Sequence, residues 1–150
     1  MLVPTAGGPN PLVAAQLAYR MAAKSANPVE IVYVDEKGTW FGKFLRVFGP
    51  TEAGKDIERH LGTLKEMAGA LSVRIRRVTG RAASDAVAEE AAKGADVIML
   101  GASGGAAKMG GRVLADTVDK APCHVAIVKA GKTAGDFKRV FVPVDGSMVS

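Results

Sequence analysis

The residues most able to do chemistry are Gly101-Ala-Ser103-Gly104-Gly105-Ala-Ala-Lys108-Met-Gly110-Gly111-Arg112. They follow the apolar run Asp96-Val-Ile-Met-Leu100 and precede a helical segment, Val113 to Lys120. A strand that runs into a glycine-rich turn and then a helix start can present backbone N–H groups to an anion. The helix dipole favours negative charge at the same place, and glycine lets a ligand approach the backbone closely. Lys108 and Arg112 add cations, and a guanidinium grips phosphate through two parallel hydrogen bonds. The chemistry expected of this turn is therefore the holding of a phosphate. The alternative is that its glycines only pack a tight turn and Arg112 is solvated.

Catalytic chemistry has less to build on. The chain has two histidines, His60 and His124, and one cysteine, Cys123. With no adjoining carboxylate pair beside them, no nucleophile–base constellation and no metal-ligand spacing can be assembled. His60 falls inside a helical pattern and is expected to be exposed, while His124 opens an apolar strand and is expected to pack. Cys123 lies in the apolar run Cys123-His-Val-Ala-Ile-Val128 and reads as a small buried hydrophobe. No Gly-Lys-Ser/Thr sequence follows the glycines, so the motif of a P-loop NTPase is absent. A binding module is expected, not an enzyme and not a metalloprotein.

The elements that must position this turn alternate along the chain. Strands are expected at Leu2–Thr5, Val29–Val34, Val73–Val78, Asp96–Leu100 and Cys123–Lys129. Helices are expected at Pro11–Lys24, about Thr51–Leu71, Arg81–Lys93 and Val113–Lys120. Leu12, Ala15, Tyr19 and Ala22 form the apolar stripe of the first helix. Ile57, Leu61, Leu64 and Met67 form that of the second, and Ala83, Val87 and Ala91 that of the third. Such alternation predicts an α/β domain with a parallel sheet covered by helices on both faces. Ligands of these sheets bind at the carboxyl ends of the strands, where the glycine-containing turns after the first and fourth strands both fall.

Charge and composition narrow the partners. A chain of 150 residues, 48% hydrophobic and 23% charged, suits one globular domain with a sizeable core. The net charge of +5 is spread along the sequence apart from Arg74, Arg76, Arg77 and Arg81. Arg74 and Arg76 alternate with Val73 and Ile75, which suits the charged face of an edge strand better than a nucleic-acid contact. No aromatic residue interleaves with them, so nucleic acid is not an expected partner. No apolar run is long enough to span a bilayer, and a single cysteine fits a reducing compartment.

Two segments exceed a five-strand unit. Glu36 to Pro50 contains Trp40, Phe41, Phe44 and Phe48, half of the chain's eight aromatic residues. A fold over its own core, contact with a partner and an interfacial membrane helix are all compatible with their one-sided spacing. The tail Arg139-Val-Phe-Val-Pro-Val-Asp-Gly-Ser147 repeats the opening Leu2-Val-Pro-Thr-Ala-Gly-Gly8, with Pro4 over Pro143 and Gly7 over Gly146. The expected organisation is a domain over 1–130, a linker over 131–138 and the start of a second copy over 139–150. An extra edge strand is the alternative for the tail.

Taken together, these residues resemble the universal stress protein family. The resemblance rests on Leu2-Val-Pro-Thr5, Gly80, Asp96-Val-Ile-Met-Leu-Gly101-x-x-Gly104, Gly111-Arg-Val and Ala121-Pro-Cys-His-Val-Ala-Ile-Val128, in that order. It implies a Rossmann-like five-stranded sheet in the order 3-2-1-4-5, association of two copies or of tandem repeats through the fifth strand, and ATP or a related adenine nucleotide as ligand, with no metal beyond nucleotide-bound magnesium. Carried over by position, Gly101, Ser103, Gly104, Lys108, Gly111 and Arg112 would surround the phosphates. Val34 would lie at the adenine, and Thr5 and Ala6 at the nucleoside. The sequence departs from the family's Gly-x2-Gly-x9-Gly-Ser/Thr pattern: six residues separate Gly104 from Gly111, Arg112 replaces the hydroxyl residue, and Ala6 replaces an aspartate. Asp145-Gly146-Ser147 retains that aspartate in the second copy. The implied role is cytoplasmic nucleotide-dependent regulation in a stress response, either alone or as the cytosolic part of a cation/proton antiporter or amino-acid permease. A dimerisation module without ligand and a weak ATPase are the alternatives.

Overall fold

The computed structural model describes residues 1–6, 9–35, 52–102 and 109–129. The aromatic stretch from Trp40 to Phe48, the turn from Ser103 to Lys108 and the tail from 130 onward lie outside the described residues. Five strands and four helices alternate: β1 (Leu2–Thr5), α1 (Pro9–Ser25), β2 (Val29–Asp35), α2 (Glu52–Ala68), β3 (Val73–Thr79), α3 (Ala83–Ala91), β4 (Val97–Gly101), α4 (Met109–Lys120) and β5 (His124–Val128). The strands form one sheet in the order β3-β2-β1-β4-β5, and every pairing is parallel. The Rossmann-like arrangement expected from the sequence is the one observed.

Side chains alternate between the faces of the sheet because successive Cβ atoms point to opposite sides. On one face Val3, Ile31 and Met99 pack with Ala14, Ala15, Ala18, Tyr19 and Ala22 of α1 and with Leu61, Leu64 and Ala68 of α2. On the other, Leu2, Val32, Ile98 and Leu100 pack with Val87 and Ala91 of α3 and with Leu114 of α4. Each fully buried Leu, Ile or Val contributes roughly 1.5–3 kcal/mol relative to an exposed one. The alanines of α1, nearly all of them inaccessible, let that helix lie close against the sheet. The Tyr19 hydroxyl donates to the Leu64 carbonyl at 2.8 Å, joining α1 to α2, and burial raises its pKa to about 12.

The helices begin and end differently from the sequence reading in informative places. α1 starts at Pro9, two residues earlier than expected, since a proline in the first turn has no N–H to lose. α4 starts at Met109, so Gly110, Gly111 and Arg112 belong to its first turn and not to the preceding loop. β2 runs one residue past Val34, to Asp35. The apolar stripe of α2 closes with Ala68, while Met67, expected in the core, is 39% exposed. Gly80 holds φ +74°, a conformation glycine adopts without steric cost, and its N–H donates to the Asp35 carbonyl at 3.1 Å. That bond ties the carboxyl ends of β2 and β3 together.

β3 is an edge strand, as the arginine pattern anticipates. Arg76 is more than a solvated edge charge: it pairs with Glu30 on β2 and Glu90 on α3, and Lys93 joins Glu90. A cleft of about 420 Å³ opens at the amino ends of these strands beside Glu30, Arg74, Glu90 and Lys93. It is at the opposite end of the strands from Thr5 and Gly101. Cys123 packs against the second apolar cluster, and burial, its largest influence, pushes the thiol pKa up, as expected of a packing cysteine rather than a reactive one.

Candidate functional site

The carboxyl ends of β2, β1 and β4 meet at one edge of the sheet. Thr5 is in register with Tyr33, Tyr33 with Arg77, and Gly101 with Val128. The pairing of Leu2 with Ile98, continued by three residues, sets Thr5 level with Gly101. The last row of the sheet thus reads Arg77, Tyr33, Thr5, Gly101, Val128. Of the sequence-predicted residues, the structure brings Thr5, Ala6, Val34 and Gly101 to this edge. Ser103, Gly104 and Lys108 lie outside the described residues.

Gly101 is there for a steric reason. A Cβ at this position would lie 2.4 Å from the Pro11 nitrogen and 2.6 Å from the Asn10 carbonyl carbon. No real side chain tolerates such distances, so only glycine allows the first turn of α1 to rest on the end of β4. The amino end of α1, with the positive end of its helix dipole, is thereby fixed beside the crevice between β1 and β4. The sequence reading gave this glycine to close approach of a phosphate. The contact present is with the chain's own backbone.

At the end of β1 the polar group is a side chain. Thr5 is buried, and its Oγ1 lies 2.8 Å from Nε2 of His60 on α2. His60 is half-buried and not exposed as its mid-helix position suggested, and burial lowers its pKa below the ordinary 6.5. A second polar link, between Arg77 and Glu58, ties β3 to the same helix. Tyr33, between them in the row, has its pKa raised by burial, with Asp35 raising it further and Arg77 lowering it. The sequence reading missed His60. The signal available was its spacing, three residues after Ile57 and four before Leu64, which puts it on the edge of the buried stripe.

The remaining expected residues contribute less. Ala6 is exposed and offers no polar side chain. Val34 is half-buried and packs its side chain into the second apolar cluster, leaving only its backbone for a ligand. Arg112 is 88% exposed and lies 3.8 Å from Asp116 one turn along α4, an arrangement of the solvated kind. His124, expected to pack, is exposed at the start of the edge strand β5. Ile127 on β5 and Val118 on α4 are also exposed, 53% and 42% respectively. Among the described residues no three His, Cys, Asp or Glu side chains gather as metal ligands, and no helix is long and apolar enough to cross a membrane.

Comparison with solved structures places this architecture among known ones. A universal stress protein crystallised in complex with cAMP shares 24% identity at a TM-score of 0.59, over 85% of this chain and 93% of the other. Universal stress protein UspA from Lactobacillus plantarum superposes with a TM-score of 0.64 at 19% identity, over 85% and 94%. The universal stress protein from Archaeoglobus fulgidus gives 0.63 at 17% identity, over 85% and 96%. At such identities the likeness speaks for the fold. No curated protein matches the sequence significantly. The model of the Universal stress protein family matches residues 1–129, all five strands and all four helices, and the chain belongs to that family.

Proposed function

We propose that this domain is a regulatory module that binds an adenine nucleotide at the carboxyl edge, between the ends of β1 and β4, without turning it over. The observation that carries this reading is the contact of Gly101 with Asn10 and Pro11, which sets the amino end of α1 beside the crevice. A helix terminus there favours an anionic ligand. The cAMP complex of a structurally similar family member supports an adenine nucleotide as the class. Gly101, the backbone of Thr5 and Val34, and the turn carrying Ser103, Gly104 and Lys108 would hold it, with Gly111 and Arg112 at the start of α4. Ala6 removes a carboxylate from the nucleoside position, so modest affinity is expected. The module would act in the cytoplasm, its ligand state altering association through the edge of β5, where Ile127 is exposed.

Calorimetric titration with ATP, ADP, AMP and cAMP tests this directly. Binding of at least one, weakened by Gly101→Ala in protein that remains folded, is the expected result. Silence from all four would sink the nucleotide reading. A second reading, a structural module that pairs through β5 and takes no ligand, is favoured by Ala6 and by the exposed Ile127. Sedimentation would then show a dimer that nucleotides leave unchanged and that Ile127→Lys dissociates.

A further inference from the structure

The hydrogen bond between His60 and Thr5 joins the middle of α2 to the last residue of β1, the strand whose end forms one wall of the crevice. Thr5 is inaccessible and its hydroxyl is occupied by the imidazole, so it meets a ligand only through its backbone. What His60 fixes is therefore the position of the β1 end. We propose that His60 is a positioning residue of the carboxyl-edge crevice, holding α2 against Thr5 as a neutral imidazole and releasing it on protonation. This rests on the reading of that crevice as the nucleotide site.

The surroundings explain why protonation should break the link. From β1 the imidazole meets a neutral hydroxyl. From β2 the groups on the face of Thr5 are Tyr33 and, two residues on, Asp35, which is engaged elsewhere; from β3 the charge is Arg77, already paired with Glu58. On α2 itself Asp56, one turn earlier, is paired with Arg59. From α1 the facing group is Tyr19, whose hydroxyl donates to the Leu64 carbonyl one turn beyond His60. None of these is a carboxylate committed to an imidazolium, and a half-buried cation without one costs free energy. The hydroxyl can accept from the charged ring, but a single neutral acceptor does not replace water around it. The cheaper response is for the half-buried ring to leave the Thr5 hydroxyl for water, which loosens this part of α2 against the end of β1.

The sign follows from linkage. An unperturbed imidazole titrates near 6.5, and in the folded chain His60 titrates lower because burial disfavours its charged form. Between the two values the unfolded chain holds a proton that the folded one refuses. Stability is thus whole above about pH 6.5 and declines as pH falls through the folded value. Nucleotide affinity should decline over the same range if α2 must be seated for binding.

The test compares the full chain with His60→Gln, whose amide keeps a hydrogen-bonding nitrogen near Nε2 but does not titrate, and with His60→Leu. AMP and ATP affinities are measured at about pH 8 and about pH 5.5, with melting temperatures and hydrogen exchange of the α2 amides under the same conditions. The wild-type chain should lose about threefold to tenfold more affinity on acidification than His60→Gln, because only its imidazole takes up a proton that the seated helix disfavours. Protonation of the nucleotide is common to both chains and cancels. Relative to the intrinsic exchange rate at each pH, the protection of the α2 amides should fall at low pH in wild type only, and His60→Leu should be weakened at both pH values. Identical pH profiles of binding, melting and exchange in wild type and His60→Gln would overturn the proposal. Nucleotide binding with no His60-dependent pH profile defeats the positioning role and leaves the nucleotide site standing. A His60-dependent profile of melting and exchange without any nucleotide binding keeps the latch and defeats the nucleotide reading. Thr5→Val, which removes the hydroxyl at nearly constant shape, must abolish the pH-dependent loss of α2 protection. It supplies the decisive comparison if a His60 variant does not fold.

Discussion

The ends of β1 and β4 face the same crevice and are built on opposite principles. β1 ends on a buried side chain, Thr5, pinned by a hydrogen bond from another helix. β4 ends on a residue with no side chain, because the first turn of α1 occupies the space a Cβ would need. One wall is positioned by polar chemistry and can respond to pH; the other is positioned by steric fit and cannot. The difference also explains what a motif can convey. A glycine required by contact is conspicuous in a sequence, whereas a threonine satisfied by a histidine 55 residues away is silent until the chain is folded.

The sharpest way to break this comparison is Gly101→Ala. The added methyl would overlap Pro11 and Asn10, and forcing α1 away from β4 should cost about 1–3 kcal/mol or more, read as a lower melting temperature. Stability near that of wild type would show that the β4 wall is not held by fit. Next in size is Ala6→Asp, which places a carboxylate beside the end of β1. A hydrogen bond to a charged group is worth about 1.5–3 kcal/mol, so nucleotide affinity should rise roughly tenfold or more, measured by calorimetry. An unchanged affinity would move the nucleoside away from Ala6.

A smaller effect is expected at the α1–α2 contact that supports both walls. Tyr19→Phe removes the bond to the Leu64 carbonyl and should cost about 1 kcal/mol near neutral pH. The Tyr19 pKa is raised from 10.0 to about 12, so its stabilising contribution is whole below pH 10 and is lost as pH rises toward 12. Denaturation at alkaline pH should therefore distinguish the tyrosine from the phenylalanine chain, and coincident curves would refute the assignment. The smallest effect belongs to Arg112→Ala. With the side chain 88% exposed, the change in stability should stay within about 0.5 kcal/mol, while any loss of nucleotide affinity would report a phosphate contact.

The parallel sheet and its two-faced core were legible because each depends on local pattern, whereas the strand order came with the family resemblance. Alternating strands and helices leave few topologies, and the stripe of Ala15, Tyr19 and Ala22 shows which side of α1 is buried. Boundaries were less legible. Gly110 and Gly111 read as loop residues, yet they lie in the first turn of α4, where an intrinsic cost of about 1 kcal/mol per glycine is overcome by what the helix packs against. Met67 read as core from its spacing, but the sheet beneath α2 receives Ala68 instead. Spacing marks a face without fixing how far around the helix the contact extends.

For the candidate site, the sequence by itself determined that a glycine would end β4 and that the position after Thr5 would carry no carboxylate. Both follow from residue identity at a place the alternating pattern had already located. Only the tertiary structure decided that Gly101 touches α1, that Arg112 extends into solvent and that His60 reaches Thr5. The physical reason is range. Periodicity records which side of an element is buried, while contact between residues far apart in sequence depends on how separately formed elements dock, to within an ångström or two.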